Sequence, residues 1–580
     1  GPDDEELRPG PVRAASRPVF DHRALGVGDL LSDFSFTDAL GVTGQLSELL
    51  DGQLLVLAVR DASCPVSKRY APRLAALEQS YAERGVSFAY VDCSPQDAPS
   101  EVLTSAKKQG LLGRQLVDPE GHLARLLKLR STTEVLVIDR ARTLHYRGAV
   151  DDQYGIGFTR DAAQQHWLAD AIDAVLAAYK PAVSATTAVG CLLPFDDVTT
   201  ETSESPPPTW HGDISRVMQN SCVSCHRSGG VGPFPLDDYE AVRGRKGMVR
   251  YVVEDHIMPP WGATSGGPWR NDRSLSDADR QLLFGWISAG APEGDPADAV
   301  LPRSWPAEWT LGEPDAVYAG RKINVPAEGT VPYQYYYVKT DLPEDRWVQG
   351  IEILPGAAQQ VHHVLVFLED PPAGQENRVS TRGDGGTFGY YAGYIPGQGG
   401  RDFGPGKAKL LPAGAWLKFQ VHYTSNGEAT TDTTRIGFQF APGKPLHEVR
   451  TNAVAKENFE IPPHADNVIV RSQEWISKDA TLSGFSPHMH LRGKAFRYEL
   501  EYPDGRRDVL LDIPAYDFNW QTMYLLAEPL PVPAGSNLYV TAWFDNSENN
   551  PANPDPAATV YFGEQTWDEM MIGYFEWWRD

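Results

Sequence analysis

Between about residues 25 and 180, apolar runs alternate with longer amphipathic stretches. LLVLAV (Leu54 to Val59) precedes SKRYAPRLAALEQSYAERG, then come VSFAYVDC, a second helical stretch, TEVLVID, and a long helix near QQHWLADAIDAVLAAY. Short buried strands alternating with helices of this length predict an α/β layered domain over 25–182. From Lys180 to Trp210 the pattern gives way to Thr, Ser and Pro, ending in Pro206-Pro207-Pro208, which predicts a linker over 183–204. A small, mainly α-helical domain follows over 205–298, closing with DADRQLLFGWISAGAP. Beyond Trp305, alternating strands, aromatic residues and Pro and Gly turns predict an all-β region. Its length suits two sandwich domains, 305–455 and 456–580, better than one.

A chain of 580 residues is too long for one core, so this multidomain organisation is the expected one. The balance of 52 Lys+Arg against 77 Asp+Glu gives a formal charge of -25, which disfavours nucleic acid or an anionic membrane surface as partner. No run of about 18 apolar residues occurs, so no membrane span is expected. The opening Gly1-Pro2 looks like a protease scar, with any export signal already removed. With 5 cysteines, disulfides are not the main stabilising device.

Cys64, in RDASCPVSKRY, falls between the first strong strand and the next helix. There the helix macrodipole stabilises thiolate. The region resembles the thioredoxin and peroxiredoxin superfamily over about 150 residues, with Cys64 in the place of the reactive cysteine. It departs at Ser67, where thioredoxin has its second cysteine, and at Thr133, where the fold usually carries a cis-proline. A standard dithiol reductase is not supported, and a redox role and an inert scaffold both stay open. Cys93, ending AYVDC, and Cys191, in VGCLLPF, are candidate partners for Cys64 in an oxidising compartment, with Cys191 favoured.

SCVSCHRSGG contains Cys222, Cys225 and His226, the C-x-x-C-H arrangement in which two thiols attach haem c and the histidine binds its iron. A zinc knuckle would want a second ligand pair, and none follows. In HIMPPWGA, Met258 is the candidate distal ligand and His256 its rival. The segment 205–298 resembles a cytochrome c domain of the kind fused to periplasmic modules. Covalent haem implies a bacterial periplasmic or otherwise extracytoplasmic protein.

Five histidines of the β region fall in three short motifs. QQVHHVLVF supplies His362 and His363, which as strand neighbours face opposite ways unless the strand bulges or the rings use different nitrogens. WLKFQVHYTSNG alternates, placing Leu417, Phe419, Val421 and Tyr423 on a buried face and Lys418, Gln420 and His422 on a polar one. SPHMHLRG puts His488 and His490 on one side of a strand, and TWDEMMIGY offers Met570 or Met571. Imidazoles with a thioether suit copper cycling between Cu(II) and Cu(I), and zinc is less attractive because methionine is a poor zinc ligand.

The order His-His, His-Tyr, His-x-His, Asp-Glu-Met resembles the copper type II, ascorbate-dependent monooxygenase family, which includes peptidylglycine α-hydroxylating monooxygenase and dopamine β-monooxygenase. The resemblance covers about 305 to 580. It implies one copper on His362, His363 and His422 in the first sandwich and an oxygen-activating copper on His488, His490 and Met570 in the second, with Gln420 and Tyr574 near the active site. Ser486 and Ile572 stand where the peptidylglycine enzyme grips its substrate's carboxylate, Arg492 is out of register, and the family's disulfides are absent. A C-terminal glycine substrate is therefore not supported.

The function expected is C–H hydroxylation by O2 of a small molecule or peptide. Electrons would come from an ascorbate-like reductant or a redox protein, relayed by the fused haem. The alternatives are a non-catalytic electron-transfer or copper-handling protein, and a thiol peroxidase centred on Cys64.

Overall fold

The structure, a computed structural model, describes residues 15–193, 195, 206–264, 267–305, 308–381 and 389–579. Strand Leu54–Arg60 is buried along its whole length, as a continuous Leu/Val run requires. It runs parallel to Val86–Asp92, which runs parallel to Arg114–Val117. Val135–Asp139 and Leu144–Gly148 extend the sheet antiparallel on the other side of Leu54–Arg60. Leu54, Val56 and Ala58 face helices Pro65–Tyr81 and Trp167–Leu176, while Leu55, Leu57 and Val59 face a second core. This is a thioredoxin-like α/β domain.

The stretch read as a linker is, over residues 183–193, laid onto this domain. Ala185 bridges to Arg147 and Leu192 to Ser131, and Ala185 and Cys191 are buried. Its Thr-rich composition hides the pairing because the contacts run through backbone and small side chains. Residues 194 and 196–204 of that stretch, like Gly1-Pro2, lie outside the described residues.

Residues 206–298 are mainly helical, with helices Ser215–Ser221, Tyr239–Arg243, Lys246–Glu254 and Asp277–Ser288 around Trp210, Trp286 and Ile214. After Trp305 the chain is rich in β-sheet. A five-stranded sheet containing Gln334–Lys339, Trp416–Tyr423, Val361–Leu368 and Tyr390–Tyr394 shares a core with a second sheet built on Arg346–Leu354 and Arg435–Phe440. Two four-stranded sheets enclose the last core. One contains Ala480–His488 and Ile572–Trp578, the other Gly493–Glu501 and Ser536–Phe544. Strand Arg450–Ala455 pairs with Ile572–Trp578, so it belongs to the last sheet pair and the division between the two β units lies before Arg450.

The units are fitted together. Trp261 and Trp269 of the helical segment pack on Tyr524 at ring separations of 4.9 and 5.5 Å. The turn at Gly427 approaches the Lys68 carbonyl so closely that a Cβ there would lie 1.9 Å from the oxygen. No helix among the described residues is long and apolar enough to cross a membrane.

Candidate metal centre

Strand Val361–Leu368 pairs with Trp416–Tyr423 in a register that slips between Val361 and His363. The bulge at His362 breaks the alternation, so both neighbouring imidazoles turn toward His422, which pairs with His363. Ring separations are 5.4 Å for His362–His363, 4.7 Å for His362–His422 and 5.2 Å for His363–His422. One ligand atom from each lies within 4.8 Å of the others. The Nδ1 atoms of His362 and His363 are 3.2 Å apart. Nε2 of His362, Nε2 of His363 and Nδ1 of His422 are buried without a hydrogen-bond partner. Buried, unpartnered ring nitrogens on three imidazoles this close together are groups that a bound cation would satisfy.

The face read as polar on Trp416–Tyr423 is buried too. Lys418 is 3 %, Gln420 7 % and His422 7 % exposed, because both sides of the strand are covered. Lys418 is paired with Glu369 at 3.0 Å. Gln420 donates to the Tyr335 hydroxyl at 2.9 Å, two residues along from His422.

His488 ends strand Ala480–His488, whereas His490, expected on the same strand, lies just beyond it, and here the supporting bonds are present. Nδ1 of His488 is 2.6 Å from Gln521 Oε1, and Nδ1 of His490 is 3.2 Å from the Asp568 carbonyl. Such bonds fix the tautomer and leave Nε2 as the ligand atom, and Nε2 of His490 is buried without a partner. Glu569, fully buried, accepts from the backbone N–H groups of His490 (2.9 Å), Arg492 (2.6 Å) and Met570 (3.2 Å), tying the two motifs together. Arg492 spends its guanidinium on Asn546 and the Trp567 carbonyl, so it is structural. Met571 packs in the core, whereas Met570 lies with Ile572 and Tyr574, the residues paired with His488 and Ser486.

The two histidine sets meet. His363 and His488, from different β units, have ring centroids 6.2 Å apart. Tyr333 borders His363, His422 and His490, and Phe518 stacks on His362 at 4.8 Å. Burial first, then the neighbouring rings, hold His363 and His422 well below the usual histidine range. Burial brings His362 and His488 down to about 4, and His490 well below its usual value. All five are therefore neutral at pH 7, with lone pairs available, as ligation requires. A cleft opens beside them, lined by His363, His488, Ser486, Tyr394, Tyr390 and Tyr574. Tyr390 and Tyr574 stack at 4.7 Å.

In the helical segment, Cys222 follows helix Ser215–Ser221, and the N–H groups of Cys225 and His226 both reach the Cys222 carbonyl, at 3.2 and 3.0 Å. His226 donates from Nδ1 to the Phe234 carbonyl at 3.1 Å, which leaves Nε2 for a metal. Two thiols and an oriented imidazole on one turn fit haem attachment. Burial pushes the Cys222 thiol up to about 12. Met258 follows helix Lys246–Glu254, its N–H on the Val252 carbonyl. Exposed His256 has Nε2 3.2 Å from Arg280. Cys225 presses on the β region, where a Cβ at Gly397 would lie 2.5 Å from its sulfur.

Cys64 caps helix Pro65–Tyr81 and is fully buried. Thr132 donates to its sulfur at 3.0 Å and accepts from the Cys191 N–H at 3.1 Å. Burial raises the Cys64 thiol, but hydrogen bonds from Cys191, Thr132 and Ser67 outweigh that and leave it lowered. Cys191, the donor, is held well above the usual thiol range by its bond to Cys64 and by burial. Cys93 packs in the core on the other face of the sheet, where burial raises its thiol as well. Thr133 donates to the Val189 carbonyl at 2.9 Å, so the position expected for proline anchors the 183–193 stretch instead. None of the five cysteines is in a disulfide. Arg245 joins the two redox candidates, donating to Ser63 at 2.9 Å with its guanidinium 4.7 Å from the Phe234 ring.

Sequence reasoning missed Tyr333, Phe518 and Gln521, and gave no role to Glu569 of the Asp-Glu-Met motif. Glu569 alone left a signal, an acidic residue in an otherwise apolar run, EMMIGY.

No curated protein matches the sequence. Solved structures similar to parts of the chain include a hypothetical protein from Sinorhizobium meliloti 1021, with 24% identity and TM-score 0.27, covering 31% of this chain and 96% of that one. Peroxidoxin BcpB from Mycobacterium tuberculosis has 22% identity and TM-score 0.20, covering 21% of this chain and 85% of that one. A secreted disulfide oxidoreductase of Mycobacterium tuberculosis has 18% identity and TM-score 0.18, covering 19% of this chain and 80% of that one. The AhpC/TSA family pattern matches residues 27–147, so the N-terminal part of the chain is an AhpC/TSA thioredoxin-like domain and points to a redox role.

Proposed function

We propose that the chain is an extracytoplasmic copper monooxygenase that hydroxylates a C–H bond of an organic substrate, with electrons relayed through a fused c-type haem. The observation that carries this reading is the convergence of five imidazoles, four of which keep a buried ring nitrogen without a partner. Five neutral nitrogen donors, with Met570 tied to His490 through their shared Glu569 carboxylate, are a copper donor set rather than a zinc one. Bound there, copper would supply one-electron steps and the activation of dioxygen.

The chain's own residues do the rest. Gln521 and the Asp568 carbonyl hold the His488 and His490 rings in the tautomer that offers Nε2. Glu569 fixes the backbone of both motifs. Tyr333 and Phe518 exclude water from the histidines. The cleft between His363 and His488, with Ser486, Tyr390 and Tyr574 in its wall, is where a substrate would be bound. The contact of Cys225 with the Gly397 loop supports the relay, since Tyr394 of the neighbouring strand lines that same cleft.

Copper-loaded protein given a reductant and O2 should show uptake stimulated by one member of a panel of peptides, amines and aromatic compounds, with an oxygenated product. Copper bound and reduced without stimulation by any compound would make the chain an electron-transfer or copper-handling protein. Haem that is reduced under argon and stays reduced beside Cu(II) would remove the relay.

A further inference from the structure

Cys191 lies outside residues 27–147, which the family pattern matches, and reaches Cys64 from the stretch laid onto the N-terminal domain. The two cysteines belong to one core, and their side chains are hydrogen-bonded to each other. Thr132 fixes both. Its hydroxyl donates to the Cys64 sulfur at 3.0 Å and accepts from the Cys191 N–H at 3.1 Å, and its own N–H donates to the Cys191 carbonyl at 3.0 Å. The two sulfurs differ in access. Cys64 is fully buried, whereas Cys191 forms part of a cavity wall. That wall also includes Thr132 and Cys93 of the N-terminal domain and Phe234, Arg245 and Met248 of the helical segment. The helical segment is seated over the thiols. Arg245 donates to Ser63 at 2.9 Å and to Gln96 at 3.0 Å, and Gln96 donates to the Glu240 carbonyl at 3.1 Å.

We propose that Cys64 and Cys191 are a dithiol–disulfide couple in which Cys191, not Cys64, is the sulfur that exchanges with a low-molecular-weight thiol entering this cavity. The couple works without the copper centre. A protein partner is kept out, because the helical segment covers the approach. In the oxidised pair, a small thiolate RS⁻ attacks the Cys191 sulfur, the Cys64–Cys191 bond breaks, and Cys64 leaves as thiolate. A sulfur stabilised as thiolate leaves faster, and Thr132 and the Ser67 N–H supply that stabilisation at Cys64. A second RS⁻ then attacks the small-molecule sulfur of the mixed disulfide. The bond to Cys191 breaks, and Cys191, whose burial and contact with Cys64 favour the thiol, takes up a proton. The protein disulfide and two RSH thus give the Cys64 thiolate, the Cys191 thiol, RSSR and one proton. Cys93 is the rival thiol in the cavity, but it packs in the opposite core, where burial, then Asp118 and Asp92, hold its thiol protonated.

The test oxidises the full chain with hydroxyethyl disulfide, reduces it with 2-mercaptoethanol, quenches samples in acid at intervals and maps every cysteine by mass spectrometry. A Cys64–Cys191 crosslink in the oxidised sample, and a hydroxyethyl adduct on Cys191 in the early quenched samples, support the proposal. Cys64→Ser treated with hydroxyethyl disulfide should keep that adduct on Cys191, since no neighbouring sulfur is left to displace it. If Cys64→Ser does not fold, the quenched samples of the unaltered chain decide alone. An adduct that forms first on Cys64 would overturn the assignment of the exchanging sulfur. A crosslink from Cys64 to Cys93, or a Cys64 that stays a free thiol throughout, would overturn the couple itself. Reduction of the crosslink by reduced thioredoxin as fast as by 2-mercaptoethanol at equal concentration would overturn the small-molecule partner.

Discussion

The two halves of the histidine cluster are built on opposite plans. His488 and His490 are held by the protein, through Gln521, the Asp568 carbonyl and the Glu569 clamp on the backbone. In His362, His363 and His422 that support is thinner, a side-chain hydrogen bond between Asn519 and His362. Their geometry comes from a strand bulge and ring packing, and each leaves a buried nitrogen unpartnered. Orienting bonds from outside the ligand shell normally raise ligand basicity and set tautomer. The pair is thus preorganised, while the triad would be completed by an ion.

The strongest way to break that comparison is to delete a ligand from each half. His363→Ala and His488→Ala should each lower copper from two ions to one and reduce substrate-stimulated O2 uptake to background. Retention of uptake in either variant would disprove a shared role for the two halves. Next comes the clamp. Glu569→Ala strands three buried N–H groups at about 1 kcal/mol or more each, so a loss of about 3 kcal/mol is expected in urea unfolding, and Glu569→Gln, which keeps an acceptor, should lose less.

Gln521→Leu should weaken copper at the pair by about 10–100-fold in a chelator competition while leaving the triad unchanged, since the Gln521 bond is made to His488. The smallest effect lies outside the cluster. Cys191→Ala removes the hydrogen bond that most lowers the Cys64 thiol, so Cys64 should ionise at higher pH and show less thiolate absorbance near 240 nm at fixed pH.

The layered N-terminal domain and the β-rich remainder were legible because buried strands and helices carry their periods in sequence. The adjacent His362 and His363 called for either a bulge or the use of different ring nitrogens, and a register slip stands there. Three features were not legible, each because it arises from long-range packing. The polar-looking face with Lys418, Gln420 and His422 is buried by neighbours far along the chain. Strand Arg450–Ala455 joins a sheet whose partner lies more than a hundred residues on. The proximity of His363 to His488 is set by how two β units meet, which no local spacing encodes.

The contact at Gly397 makes one bare backbone position the seam between two units. A Cβ at Gly397 would lie 2.5 Å from the Cys225 sulfur, so a residue with any side chain there would push the helical segment away from the β region. Cys225 itself stays half-buried, with its other side open.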